Sequence, residues 1–136
     1  MKTNLLTILS RGFILFSALS LLSVSLMAFV NPQSVMDLVH VNLSNTDAFS
    51  SIRGVYGGVG LTIFISLLYL MRKDIHMGLI FLSMLWGFYA LSRLMTIFSE
   101  GSLGAFGTQW LCIESILFGV SVILLFLHKR TLAVNY

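Results

Sequence analysis

Four long apolar runs, each closed by charged or polar residues, leave this chain one kind of fold. The first is Gly12–Val30, preceded by Lys2 and Arg11 and stopped by Asn31-Pro32. The second extends from about Ile52 to Met71 and ends at Arg72-Lys73-Asp74. The third covers about Met77–Ser99, and the fourth about Trp110–Leu127, closed by His128-Lys129-Arg130. A helix needs ~20 apolar residues to cross the ~30 Å hydrocarbon core, and each run is near that length. The runs lack the inward/outward alternation of a barrel, and open strands in lipid would strand their backbone polar groups. The sequence therefore predicts an all-α, polytopic membrane protein, a bundle of four transmembrane helices forming a single domain over residues 1–136.

Composition agrees. Charged residues make up 10% of the chain and hydrophobic residues 57%, whereas a soluble domain carries about 25% charged residues. Four spans nearly exhaust the 136 residues, so any chemistry within them occurs in or at the bilayer. The formal charge of +3 is not gathered into a basic stripe, which argues against a nucleic-acid partner. The single Cys112 cannot form an internal disulfide and lacks the paired spacing of a zinc site. It is expected to be a small packing residue.

Placement of Lys and Arg sets the expected orientation. Lys2, Arg11, Arg72, Lys73, Lys129 and Arg130 share one side, while Asp37, Asp47 and Glu100 fall on the other with Arg53 at its edge. Loops rich in Lys and Arg stay in the cytoplasm, so both termini are expected there, and the protein in a bacterial inner membrane. Ser23-Val24-Ser25 offers a signal-peptide cleavage site, but the apolar run is long for an h-region, and an uncleaved anchor is the expectation.

Between the first two runs, Asn31 can cap a helix and Pro32 suits its first position. Gln33, Asp37, His40 and Ser44 then recur at helical spacing, with Val35, Met36, Leu38, Val39 and Leu43 on other positions. This predicts a short amphipathic helix lying on the outer surface as a lid.

Two ionisable residues interrupt the apolar runs, and hydrocarbon solvates neither a guanidinium nor a carboxylate. The third span runs outward, placing Arg93 about 9 Å below its outer end at ~1.5 Å per residue. The fourth runs inward, placing Glu114 roughly 6 Å below the same surface. A short loop joins these helices, so they should be antiparallel neighbours. Tyr89 lies one turn below Arg93, and Arg53 opens the second span at the same side with Tyr56 one turn on. One reading is structural: Arg93 and Glu114 neutralise each other while Arg53 snorkels to the headgroups. The other is a binding site in which two guanidinium forks face an anionic headgroup, with Glu114, Tyr56 and Tyr89 in support.

The second span opens Arg53-Gly54-Val55-Tyr56-Gly57-Gly58-Val59-Gly60. Gly54 and Gly58 form a GxxxG pair, a device for close helix packing in lipid. Gly57 and Gly60 lie on the Arg53 face, where packing or room for a ligand would explain them. Ser17, Ser20 and Ser23 recur every third residue and mark a packed face, since serines can bond back to their own helix. Trp110 fits an interfacial anchor. Trp86 reads as ordinary packing.

His76 and His128 fall at the Lys/Arg-rich edge of adjacent helices, where two imidazoles are able to ligate one haem or metal. Membrane-edge histidines beside Lys and Arg are more often solvated, so no metal or cofactor is assigned. No nucleophile–base spacing and no carboxylate pair suggests hydrolytic chemistry.

Arg53-Gly54-Val55-Tyr56-Gly57-Gly58, Ser92-Arg93, Glu100-Gly101 and Glu114 together resemble a bacterial four-helix membrane family known only as a domain of unknown function. Its members are similar in an Arg-x-x-Tyr-Gly-Gly opening, an Arg late in the third helix, an acidic-Gly pair and a Glu in the fourth. The resemblance covers nearly the whole chain. Gly54 stands where that pattern has Ala, and no Pro follows Gly101. The resemblance implies a four-helix fold and a polar cluster, and carries no activity.

The expected role is non-catalytic: binding membrane lipid, a lipid-like molecule or a small amphiphile, or serving as an accessory membrane subunit, with a second copy or another membrane protein as partner. A small proton-coupled transporter working as an oligomer is one alternative, and it would need a membrane Glu unpaired near the midplane. A redox protein using quinone or haem is another.

Overall fold

The computed structural model describes the backbone of residues 2–134 and the side chains of residues 5–128. The side chains of Lys2, Lys129 and Arg130, which entered the charge argument, lie outside the described residues. All regular structure among the described residues is helical: α1 (Lys2–Val30), α2 (Pro32–Asp37), α3 (Thr46–Ile52), a π-helical segment (Arg53–Gly58), α4 (Val59–Lys73), α5 (Ile75–Ser99) and α6 (Ala105–Val134). Four stretches are long and apolar enough to cross a membrane: Leu5–Val30, Thr46–Lys73, Ile75–Ser99 and Ala105–His128. The protein is all-helical with four candidate membrane spans.

The helix starts differ from the sequence boundaries. The second stretch begins at Thr46 rather than near Ile52, because Asn45 accepts a hydrogen bond from the Ala48 amide at 2.8 Å and caps the helix there. The fourth begins at Ala105 rather than Trp110, and the third at Ile75, where Asp74 accepts from the Met77 amide at 3.0 Å.

The chain divides into two compact units. One joins the start of α1, up to Ile14, to the chain from Met71 onward, and is dominated by the packing of α5 against α6. Leu79, Leu82, Trp86 and Ala90 on α5 are buried. Gly87 lets the Phe118 ring approach so closely that a Cβ there would stand 3.1 Å from it.

The other unit is Leu15–Leu70. Its core gathers Ala28 of α1 with Val35 and Met36 of α2, with Val24, Leu43 and Ile52 packed around them. Asn31 caps α2 by accepting from the Gln33 amide at 3.1 Å, and Pro32 opens it, as the sequence suggests. The helix stops at Asp37, however, well short of Ser44. Its end is a Schellman motif: the Val41 amide bonds the Met36 carbonyl at 3.1 Å and the His40 amide bonds the Asp37 carbonyl at 3.2 Å. His40 takes the left-handed position with φ +57°. Gln33 then ties down the returning loop: its Nε2 donates to Asp37 Oδ1 at 2.7 Å and to the Val41 carbonyl at 2.9 Å. Its Oε1 accepts from the Leu43 amide at 2.9 Å.

A left-handed histidine has a steric cost that glycine lacks. His40→Gly should therefore stabilise the protein by about 0.5–1 kcal/mol, read as a raised melting temperature in mild detergent. Unchanged or lowered stability would contradict the assignment of this turn.

The buried face of α1 also corrects the serine row. Ser10, Ile14, Ser17, Ala18, Ser25 and Ala28 are fully buried. Ser20 and Ser23 sit off that stripe, and each donates back to its own helix, to the Phe16 carbonyl at 2.9 Å and the Ser20 carbonyl at 2.7 Å. Cys112, expected as a packing residue, is exposed on α6.

Candidate functional site

The α5–α6 pair brings the two intramembrane charges together. Arg93 Nε donates to Glu114 Oε2 at 2.6 Å and Arg93 Nη2 donates to Glu114 Oε1 at 2.8 Å. Both carboxylate oxygens are thus engaged by one planar fork, the strongest geometry an ion pair has. Glu114 is nearly enclosed, with 4% of its side chain exposed against 24% for Arg93. Because α6 starts at Ala105, Glu114 lies about 13 Å along it rather than the roughly 6 Å expected, at ~1.5 Å per residue. The pairing expected from the antiparallel arrangement is present even so.

Tyr89 stands beside Trp86 on α5, ring centroids 6.0 Å apart and tilted by 54°. An open apolar groove of about 390 Å³ lies along Ser83, Met84, Gly87, Phe88, Leu91 and Phe118. It has no ionisable lining residue. The charges of this unit do not open onto that groove as its lining.

Arg53 and Tyr56 belong to the Leu15–Leu70 unit, on the π-helical segment. That segment shifts the backbone pairing: the Val59 amide bonds the Gly54 carbonyl, five residues back, and the Arg53 amide is shared between the Phe49 and Ser50 carbonyls. Such turns leave a carbonyl without its usual partner. The buried Ser25 hydroxyl of α1 donates to the Gly57 carbonyl at 2.6 Å, a bond to this segment from another helix. Arg53 is exposed, and its Nε donates to the Phe29 carbonyl at 3.3 Å. The last turn of α1 carries no basic residue of its own, and Arg53 supplies one to its carbonyl end. No carboxylate among the described residues pairs with Arg53. Tyr56 is exposed on the same segment.

The glycines divide differently from the GxxxG expectation. A Cβ at Gly57 would stand 3.2 Å from the Phe29 ring, and one at Gly60 would stand 3.0 Å from Ser25 Cβ. Gly54 and Gly58 have nothing within 4 Å. Close approach to α1 therefore runs through Gly57 and Gly60.

Sequence reasoning missed the π-helical segment and Ser25. The one available signal was the glycine crowding from Gly54 to Gly60, which weakens ordinary helical pairing. It also expected solvated histidines. Instead His76 Nδ1 and both ring nitrogens of His128 are buried without a hydrogen-bond partner. No group of three or more His, Cys, Asp or Glu residues able to hold a metal is present among the described residues.

A family model described as Domain of unknown function (DUF4345) matches residues 9–125. The chain belongs to this family. The match reaches into all four apolar helices and includes Arg53, Arg93 and Glu114. No curated protein and no solved structure matches the chain.

Proposed function

We propose that this DUF4345 protein is a non-catalytic multi-pass protein of a bacterial inner membrane, with both termini cytoplasmic, that binds the phosphate of a phospholipid headgroup through Arg53. The observation that carries the reading is the state of the two guanidinium groups. Arg93 is committed in two bonds to an enclosed Glu114, which suits a helix clamp. Arg53 is exposed and spends its Nε on the Phe29 carbonyl, which leaves its two terminal nitrogens for a phosphate oxygen pair. A planar guanidinium fits that bidentate geometry better than an ammonium does.

Position supports the same role. Arg53 lies about 10 Å along the Thr46–Lys73 stretch at ~1.5 Å per residue, from where a long side chain can snorkel toward the headgroups. A proton-coupled transporter is disfavoured, since the membrane carboxylate it would need is paired with Arg93.

Native mass spectrometry from phosphatidylglycerol nanodiscs tests this. Wild-type protein should retain a phospholipid adduct that Arg53→Ala loses and the Arg93→Met, Glu114→Leu double variant keeps. Equal retention in Arg53→Ala and wild type would overturn the headgroup site. A bare wild-type mass would do the same and turn attention to an accessory-subunit role.

A further inference from the structure

The described residues contain four buried side-chain polar atoms without a partner: Ser10 Oγ, His76 Nδ1, His128 Nδ1 and His128 Nε2. Each such atom costs the free energy of its lost hydration, and native structures leave few without a water or an ion. All four lie in one unit, and three belong to two histidines whose rings are neighbours. His76 is the second residue of α5 and His128 lies near the end of α6, with ring centroids 6.4 Å apart and planes tilted by 55°.

That separation is informative. For two imidazoles on one ion, metal–nitrogen bonds are about 2.0 Å and each nitrogen lies about 1.1 Å from its ring centroid. The centroids then stand about 6.2 Å apart across a straight bond angle, and about 5 Å apart across a tetrahedral one. The observed 6.4 Å matches the straight arrangement, which leaves the rings free to rotate about the common axis.

Only two candidate ligands are grouped here, because no cluster of three or more occurs among the described residues. A four-coordinate Zn²⁺ would need two further donors. A singly charged ion also loses less hydration than a doubly charged one on entering a low-dielectric site. Imidazole is a good copper ligand, and Cu(I), with a closed d shell, accepts two donors in a line. We propose that His76 and His128 form a two-coordinate site for Cu(I) between the N-terminal end of α5 and the C-terminal part of α6. The ion takes one nitrogen from each ring. The other His128 nitrogen would be met by a buried water, the ordinary partner of such a group.

The test is an anaerobic Cu(I) titration of the full chain in detergent against a chromophoric Cu(I) chelator. Cys112→Ser serves as the background, since the exposed thiol is a competing ligand. One Cu(I) per chain is expected, weakened at least about 100-fold by His76→Ala or by His128→Ala, on the scale of lost metal-site contacts, and unchanged by His40→Ala. Absence of binding, or binding undiminished in both histidine variants, would overturn the proposal. Should those variants fail to fold, copper-edge X-ray absorption on the loaded parent protein decides alone. Two nitrogen neighbours support the site; sulfur neighbours, or a shell of three or four, reject it.

Discussion

Arg93→Gln should destabilise the protein by about 3–5 kcal/mol, the cost of leaving a buried carboxylate without its partner. Glu114 has 4% of its side chain exposed and takes both of its bonds from Arg93. Glu114→Gln should cost less, because Arg93 keeps 24% of its side chain exposed and a long side chain can swing toward water. The double variant Arg93→Met with Glu114→Leu should recover much of the loss, since an apolar pair of similar volume removes the stranded charge. Unfolding titrations in mixed micelles measure all three. Single variants with wild-type stability would refute the clamp, and so would a double variant whose losses simply add.

Gly60→Val should give the second large effect, a loss of about 1–3 kcal/mol from overpacking. A Cβ at Gly60 meets Ser25 Cβ at 3.0 Å and Ser25 Cα at 3.6 Å, so α1 must move rather than one flexible side chain. That movement also pulls the Ser25 hydroxyl from the Gly57 carbonyl, which it bonds at 2.6 Å. Gly54→Ala and Gly58→Ala provide the contrast. Neither meets anything within 4 Å, so each should be neutral or gain up to about 1 kcal/mol from helix propensity. The same titrations separate the two sets, and a larger loss at Gly54 or Gly58 than at Gly60 would contradict the packing described here.

The four spans were legible because lipid demands a length of apolar helix and the chain supplies it four times. The Arg93–Glu114 pair was legible for a related reason. A short loop makes α5 and α6 antiparallel, and two opposite charges near their joined ends have few alternatives to each other. Helix starts were less legible. Thr46–Ile52 is too polar to stand out in an apolar run, and only the Asn45 cap marks where it begins.

What depended on a partner helix was not readable at all. The π-helical segment takes a hydrogen bond at its Gly57 carbonyl from Ser25, 32 residues away. Which glycines meet α1 depends on the face that α1 covers, and sequence spacing, which offered Gly54, Gly57, Gly58 and Gly60 alike, does not single out Gly57 and Gly60. His76 and His128 sit next to charged residues that suggest water, yet His76 Nδ1 and both His128 ring nitrogens are buried. Arg53 was visible as a cation, but it was expected at the edge of a span that instead begins at Thr46. Its hold on the Phe29 carbonyl was not visible, because that requires the end of α1 to lie beside it.

The contact between Arg53 and a lipid phosphate is the claim on which the functional account turns, and it can be measured as a distance. Protein labelled with ¹⁵N-arginine in phosphatidylglycerol bilayers should show phosphorus-dependent dephasing of a guanidinium signal. A nitrogen–phosphorus separation of about 4 Å is expected, as for a charge-assisted hydrogen bond to a phosphate oxygen, lost from the spectrum in Arg53→Lys. The Arg93 signal should show none. Dephasing identical in wild type and Arg53→Lys, or carried by Arg93, would contradict it.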